Sequence, residues 1–173
     1  VVSDKFMGAW QASGHLLELG HREIGLLFNN RSMTSVNQRV IGYRKALEKA
    51  GIPFQKELVF LKDKKNITDE EIVEVLQNDL TALFTTDLLA SRVIKIATEM
   101  GIEIPKQLSV VGFDDIALSS VLIPALTTVR QKDEEMGREG VRILDDKIQG
   151  SKTLTQRVLS TSLVVRDSTA PVS

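Results

Sequence analysis

Arg39, Thr86, Asp87 and Asp114 are the side chains with which this sequence could grip a polar small molecule. A guanidinium fork donates, carboxylates accept and a hydroxyl does either, which is the equipment used to hold a polyol. Their positions give the grouping its force. Asn29 and Asn30 follow one apolar run, Thr86 and Asp87 follow a second, and Asp114 and Asp115 follow a third, while Arg39 lies one turn into a helix that begins near Thr34. If those runs are parallel strands, the groups converge on one rim, because open parallel sheets bind ligands outside the carboxyl ends of their strands. Plainer roles stay open for each. Asp87 is placed to cap a helix starting at Leu88, Asp115 to cap a short turn before Ser119, and Asn29 and Asn30 to make a turn. Arg39 has polar neighbours, Asn37 and Gln38, as a surface arginine would.

A catalytic reading finds less to stand on. His15 and His21 are six apart and do not share a helix face, so they make no i, i+4 metal pair. His21 directly follows Gly20 and is placed to meet free carbonyls past a helix end. The sequence holds no G-x-S-x-G, P-loop or G-x-G-x-x-G. Asp114 and Asp115 are adjacent, so in an extended strand they point to opposite sides and make no acid–base pair. Glu70-Glu71 and Glu134-Glu135 suit the first turns of helices, where carboxylates meet the positive end of the dipole. No metal and no cofactor is called for.

The elements that position the rim are legible from pattern. Ile24–Phe28, Leu58–Leu61, Ala82–Phe84 and Leu108–Phe113 read as strands, and the inner ones lack alternation, as strands buried on both faces do. A last strand is predicted over Val158–Val165. Val36, Val40, Tyr43, Leu47 and Ala50 mark one helix face; Leu89, Val93, Ile96, Ala97 and Met100 mark another. Thr68 to Glu71 is a capping box ahead of Ile72, Val75 and Leu76. A first helix spans roughly Phe6–Leu19, and a late one carries Met136, Ile143 and Leu144. Gly20, Gly51, Gly101 and Gly150 stand where helices should stop. Strand and helix alternating at this spacing argue for a doubly wound α/β architecture. Lys62-Asp63-Lys64-Lys65-Asn66 reads as a solvated loop.

Composition narrows the function classes. The 173 residues carry 22 basic and 23 acidic side chains, a formal charge of −1, so these residues offer no basic footprint for nucleic acid. The absence of cysteine excludes disulfide scaffolds, thiol catalysis and cysteine metal sites, and fits a reducing cytoplasm. No apolar run approaches the roughly 20 residues of a membrane helix. The sequence opens at Val1 without Met and without a signal-peptide pattern, as expected of a fragment or a processed chain.

Six motifs in series carry a resemblance. They are Gly8-Ala9 with His15-Leu16 and Leu19-Gly20-His21-Arg22-Glu23-Ile24; Arg39, Gly42-Tyr43 and Ala46-Leu47; Ala82-Leu83-Phe84 with Asp87 and Ala90; Gly101-Ile102 through Pro105 to Ser109-Val110-Val111-Gly112-Phe113-Asp114-Asp115; Pro124 with Leu126-Thr127-Thr128-Val129; and Gly137 with Arg166, Ser168 and Thr169. In this order the chain resembles the effector-sensing part of lactose-repressor/galactose-repressor (LacI/GalR) type bacterial transcription regulators. The resemblance implies a periplasmic-binding-protein-like type I fold: a three-layer α/β/α architecture with a mainly parallel sheet, one lobe complete and part of the other. It implies residues 1–23 as a remnant of the first lobe, 24–124 as the second lobe, and 125–173 as the return segment and tail. The helices bearing Trp10 and bearing Met136, Ile143 and Leu144 should then lack much of their partner sheet.

Carried over by position, Arg39 stands where the family's effector-gripping arginine stands, and Asp114 where an aspartate commonly binds sugar hydroxyls. Asp87 matches the motif aspartate, and Thr86 replaces the family's usual asparagine contact. Asp133 stands where many members place an aromatic or apolar contact. The implied function is a cytoplasmic sensor of a sugar or related polar metabolite, acting allosterically as a homodimer in a regulator of the repressor type that meets operator DNA only through an N-terminal part absent here. No membrane is involved. A solute-binding protein of a transport system, or an α/β enzyme, are the alternatives.

Overall fold

Apolar runs without alternation need cover on both faces, and helices supply it here. The computed structural model describes residues 1–29, 33–62, 66–150 and 156–172. In chain order the elements are β1 (Val2–Ser3), α1 (Lys5–Glu18), β2 (Ile24–Asn29), α2 (Met33–Lys49), β3 (Val59–Lys62), α3 (Asp69–Leu76), β4 (Ala82–Phe84), α4 (Asp87–Glu99), β5 (Ser109–Asp114), β6 (Thr127–Arg130), α5 (Asp133–Ile148), β7 (Val158–Leu159) and β8 (Ser162–Val164). Short 3-10 turns occupy Lys56–Leu58 and Ala117–Ser120.

Six strands form one sheet in the order β3-β2-β4-β5-β6-β8. The first five are parallel and β8 is antiparallel to β6. The chain moves outward from β2 to β3, then returns to the other side through β4. The switch point therefore lies between β2 and β4. One face is closed by α1 and α2 over Leu26, Phe28, Phe84 and Phe113; the other by α3 and α4 over Leu27, Leu83 and Val110. This is the expected three-layer α/β/α architecture, and the four glycines expected to end helices all sit at positive φ, from 71 to 95°. The capping box closes as expected, with Thr68 and Glu71 exchanging backbone hydrogen bonds.

Three expectations change. The last predicted strand is broken: Val158–Leu159 pairs in parallel with β1 in a separate two-stranded sheet, and Ser162–Val164 joins the main sheet. A strand the sequence pattern does not mark, β6, is present, with the polar Thr127 and Thr128 buried within it. The boundary at residue 23 also fails to separate lobes. Ala9, Ala12 and Leu16 of α1 are fully buried in the same core as Ile24 and Leu26. Gly42 on α2 makes this possible, since a Cβ there would run into the Phe6 carbonyl and the Ala9 side chain. Trp10 accordingly packs against that core, with Lys49 over its ring at 4.8 Å. Of the two helices expected to be uncovered, α1 is therefore covered and α5 is not: no residue of α5 is buried, and Val141, Leu144 and Ile148 are exposed. The body of the fold thus runs from α1 through β6 and takes in β8 and the tail. Ser168 stitches that tail down, accepting from Thr127 N at 2.8 Å and donating to Val110 O at 2.6 Å.

Candidate functional site

Of the groups expected at the strand ends, the structure brings Arg39 and Asp114 together. On the first turns of α2, Arg39 is only 8% exposed. Its guanidinium lies 4.2 Å from the Phe113 ring centroid and 5.1 Å from that of Phe28. Stacking on aromatic faces holds an arginine while leaving its in-plane N–H groups for a ligand. Arg39 Nε is buried with no hydrogen-bond partner among the described residues. Burial lowers its pKa against the opposing pull of Asp114 and Asp87.

Asp114 ends β5 with its carboxylate 3.8 Å from Arg39 Nη2. Gln131 Nε2 donates to Asp114 Oδ1 at 2.6 Å. Burial raises the Asp114 pKa, and the nearby Arg39 does not fully offset it. Asp114 and Asp115 adopt φ of 121° and 53°, a backbone region that L side chains seldom occupy. That turn swings the two neighbours into different surroundings. Asp115 accepts from Arg130 Nε at 2.5 Å and Arg166 Nη2 at 2.6 Å. Burial pushes its carboxyl up, but the two arginines together hold it below the usual carboxylate range. It ties the ends of β6 and β8 to β5 and caps no turn.

Asp87 requires correction. It is 1% exposed, and both oxygens are taken: Oδ1 by Thr128 Oγ1, and Oδ2 by Ser119 Oγ at 2.6 Å and Ile116 N at 2.9 Å. It therefore neither faces a ligand nor caps its helix; it braces the loop after β5. Gly112 exists to admit it, since a Cβ there would collide with the Asp87 carboxylate. Thr86 is the N-cap residue of α4 with no side-chain capping bond. It is half-buried and, with Asn29, lines a cleft of about 110 Å³ at the β2/β4 switch point. Asn30 and Lys64 lie outside the described residues, as do Asp63 and Lys65.

The sequence reading missed three rim groups. Lys5 Nζ donates to Ser3 Oγ at 3.0 Å and to Gln131 Oε1 at 3.2 Å, and Ser3 also bonds Gln131. Gln131 thus links Lys5 to Asp114. The signal that could have found it is the register of the unread strand: Arg130 pairs with Asp114, so Gln131 must emerge beside it. The larger cavity, about 520 Å³ between α1, α2 and β8, is mostly apolar and lies away from these groups.

Among the described residues no group of three His, Asp or Glu side chains could hold a metal. His21 is committed to Thr81 Oγ1 and the Ala170 carbonyl, and His15 to Thr169 Oγ1. The carbonyl that His21 meets belongs to the tail, not to the helix end it follows. Burial lowers the pKa of both.

A family model for the periplasmic binding protein-like domain matches residues 13–169. The HTH-type transcriptional regulator DegA of Bacillus subtilis (strain 168) is 37% identical over 177 residues, covering 100% of this chain and 52% of its own. CelR of Thermobifida fusca, another HTH-type transcriptional regulator, is 34% identical over 171 residues, 95% of this chain and 50% of its own. Among solved structures, a LacI family transcriptional regulator from Enterococcus faecium with bound ribose superposes with a TM-score of 0.89 at 31% identity, over 99% of this chain and 65% of that one. A CelR–cellobiose complex superposes with a TM-score of 0.87 at 34% identity, over 96% and 54%. The chain spans about half the length of the curated relatives it matches.

Proposed function

This chain belongs to the periplasmic binding protein-like domain family, among relatives that are LacI-family transcription regulators, and from that premise we propose that it senses a sugar or related polar metabolite for a DNA-binding regulator of the repressor type. The relatives are regulators, so the chain is read as a sensor and not as an enzyme. One observation carries the reading. A stacked, buried Arg39 with an unpartnered Nε stands beside a half-exposed Asp114 at the strand ends. That pair offers a donor fork and an acceptor a few ångströms apart, which matches vicinal hydroxyls. Thr86 and Asn29 extend the rim at the switch point. Structural neighbours that hold ribose and cellobiose support the same ligand class.

The mechanism we propose is allosteric. A ligand bound on this rim shifts the equilibrium between lobe arrangements by as much as its affinity differs between them. The reading of operator DNA falls to a helix-turn-helix outside these residues, and the sensor acts in the cytoplasm, where that DNA is. No described helix is long and apolar enough to cross a membrane. We assign the homodimer contact to the patch formed by Leu88, Leu118, Val121 and Ile123, where Val121 is 71% and Ile123 91% exposed. Large apolar side chains exposed to this degree suit an interaction surface.

The test is a thermal-shift and calorimetric screen of the full-length protein against ribose, cellobiose and other sugars. A ligand at 100 times its Kd adds about 2.7 kcal/mol, a shift of several degrees. Binding that Arg39→Ala and Asp114→Ala each abolish supports the reading. A ligand held equally well by the Asp114→Ala protein would sink it.

A further inference from the structure

We infer that Gln131 is a positioning residue of the effector site: its amide holds the Asp114 carboxylate in place and anchors it to the segment that leads from β1 into α1. The inference rests on the reading of the rim as the effector site and adds a residue that acts on the ligand through Asp114.

The two ends of one amide meet opposite charges. Gln131 Nε2 donates to Asp114 Oδ1 at 2.6 Å. Gln131 Oε1 accepts from Lys5 Nζ at 3.2 Å and from Ser3 Oγ. Lys5 also donates to Ser3 Oγ at 3.0 Å, which closes a triangle of bonds on that side. One orientation of the amide fits. Turned over, it would set its NH2 group against the ammonium and its oxygen against the carboxylate, unfavourable at both ends. Lys5 and Ser3 therefore fix the amide, and the amide fixes Asp114. Ser3 is buried and paired with Leu159, so that anchor is the β1–β7 sheet and not solvent. Arg39 cannot do the same work, because its Nη2 stands 3.8 Å from Asp114 Oδ1, too far for a hydrogen bond. Among the described residues, Gln131 gives Asp114 its one hydrogen bond from a side chain.

The electrostatics separate positioning from packing. Burial raises the Asp114 pKa and Asp87 on α4 pushes the same way, while Arg39 on α2, Lys5 on α1 and the Gln131 N–H hold it down. Asp133 on α5 acts on Lys5, and the neighbouring Asp115 is paired with Arg130 and Arg166. If Gln131 served packing alone, its loss would let water in and lower the Asp114 pKa towards the ordinary carboxylate value. If it positions Asp114 by donating to the charged form, its loss raises that pKa. The two roles predict opposite signs.

The test is an NMR titration of the Asp114 carboxyl, followed by calorimetry of the full-length protein with ribose and cellobiose. Gln131→Leu removes the amide at similar volume and should move the Asp114 midpoint upward. Gln131→Glu keeps the shape and an acceptor for Lys5 and Ser3 but sets a carboxylate against Asp114, so it should move the midpoint upward as well. Each variant should bind the sugar that the parent binds about tenfold more weakly at neutral pH, the worth of one hydrogen bond to a charged group. Its affinity should also begin to fall at a higher pH than the parent's, following the raised midpoint. A midpoint that stays or falls in both variants overturns the inference, and so does an unchanged sugar affinity. Arg39→Ala judges the rim reading separately: that reading stands if this variant abolishes sugar binding, whatever Gln131 does. Silence of both sugars overturns the two together. Gln131→Glu, which keeps the Lys5 and Ser3 contacts, decides the matter even if Gln131→Leu folds poorly.

Discussion

Two sets of acidic side chains stand within one short stretch of this rim, and they live by different rules. Asp87 and Asp115 are saturated: the first takes three hydrogen bonds, and the second takes two arginines. Asp114, next to Asp115 in the chain, has one amide and an arginine at 3.8 Å, and that arginine keeps a buried nitrogen without a partner among the described residues. The saturated pair makes the loop after β5 rigid and fixes β6 and β8 to it. The unsaturated pair is left with bonding capacity in a half-buried place. A buried polar group without its bonds costs stability, so such a place persists where a ligand completes it. The contrast separates what holds the rim from what the rim is for, although residue type alone makes the three aspartates look alike.

The largest effect that tests this contrast is the loss of Asp87. Asp87→Ala strands the buried Ser119 and Thr128 hydroxyls and removes the acceptor of the Ile116 amide. At about 1–3 kcal/mol for each buried group left unsatisfied, the protein should lose about 2–6 kcal/mol of stability, read by urea melts. Effector binding should fall only as far as folding does. Asp114→Asn should invert that pattern. It keeps an acceptor for Gln131 and removes a charge that burial disfavours, so thermal stability at neutral pH should match or exceed the parent's. Effector affinity should drop by about tenfold or more, since a charge-assisted bond is lost. An Asp114→Asn protein that binds normally, or one as unstable as Asp87→Ala, would erase the distinction.

A smaller effect is the sign of the pH dependence. Asp115 has a depressed folded pKa, so its stabilisation is present above the ordinary carboxylate value near about pH 4 and is lost as pH falls through its folded value. The Tm difference between the parent and Asp115→Asn should therefore be flat from neutral pH down to about pH 5 and shrink below that. Asp114 has a raised folded pKa, so its charge is a penalty above that value and vanishes as pH falls through it. The parent and Asp114→Asn should converge in acid and diverge, with the parent the less stable, as pH rises. Two melting series with the same slope would show that the two carboxylates share one environment.

Much of this was legible in the residues. The glycine stops, the capping box and the uninterrupted strands report local backbone and burial, which act over a few residues. Arg39 and Asp114 were placed because strand ends converge in any parallel sheet. The role of Asp87 is not legible in the sequence for a reason of range: its partners lie 29 to 41 residues away, across the β5 loop and on β6. β6 itself was invisible because Thr127 and Thr128 look polar, while their hydroxyls are satisfied inside by Arg166 N, Thr169 and Asp87. With β6 unread, Gln131 and Lys5 had no frame to place them. Long-range satisfaction of polar groups leaves no period in a sequence, whereas apolar faces do.

The smallest effect separates the two helices that amphipathic pattern could not tell apart. α1 carries small residues on its buried face, and Gly8 there would set a Cβ 2.8 Å from Phe113 and from Val129. α5 has a comparable apolar stripe, yet a Cβ on Gly140 meets nothing within 4 Å. Small residues on α1 are therefore demanded by close packing, while Gly140 is a weak helix residue with open space beside it. Gly140→Ala should raise stability by about 0.5–1 kcal/mol, the difference in helix propensity. The readout is the urea midpoint of the 173-residue chain. A loss of similar size would mean that a second surface packs closely on this face of α5 in solution, and α5 would then belong with α1 among the buried helices.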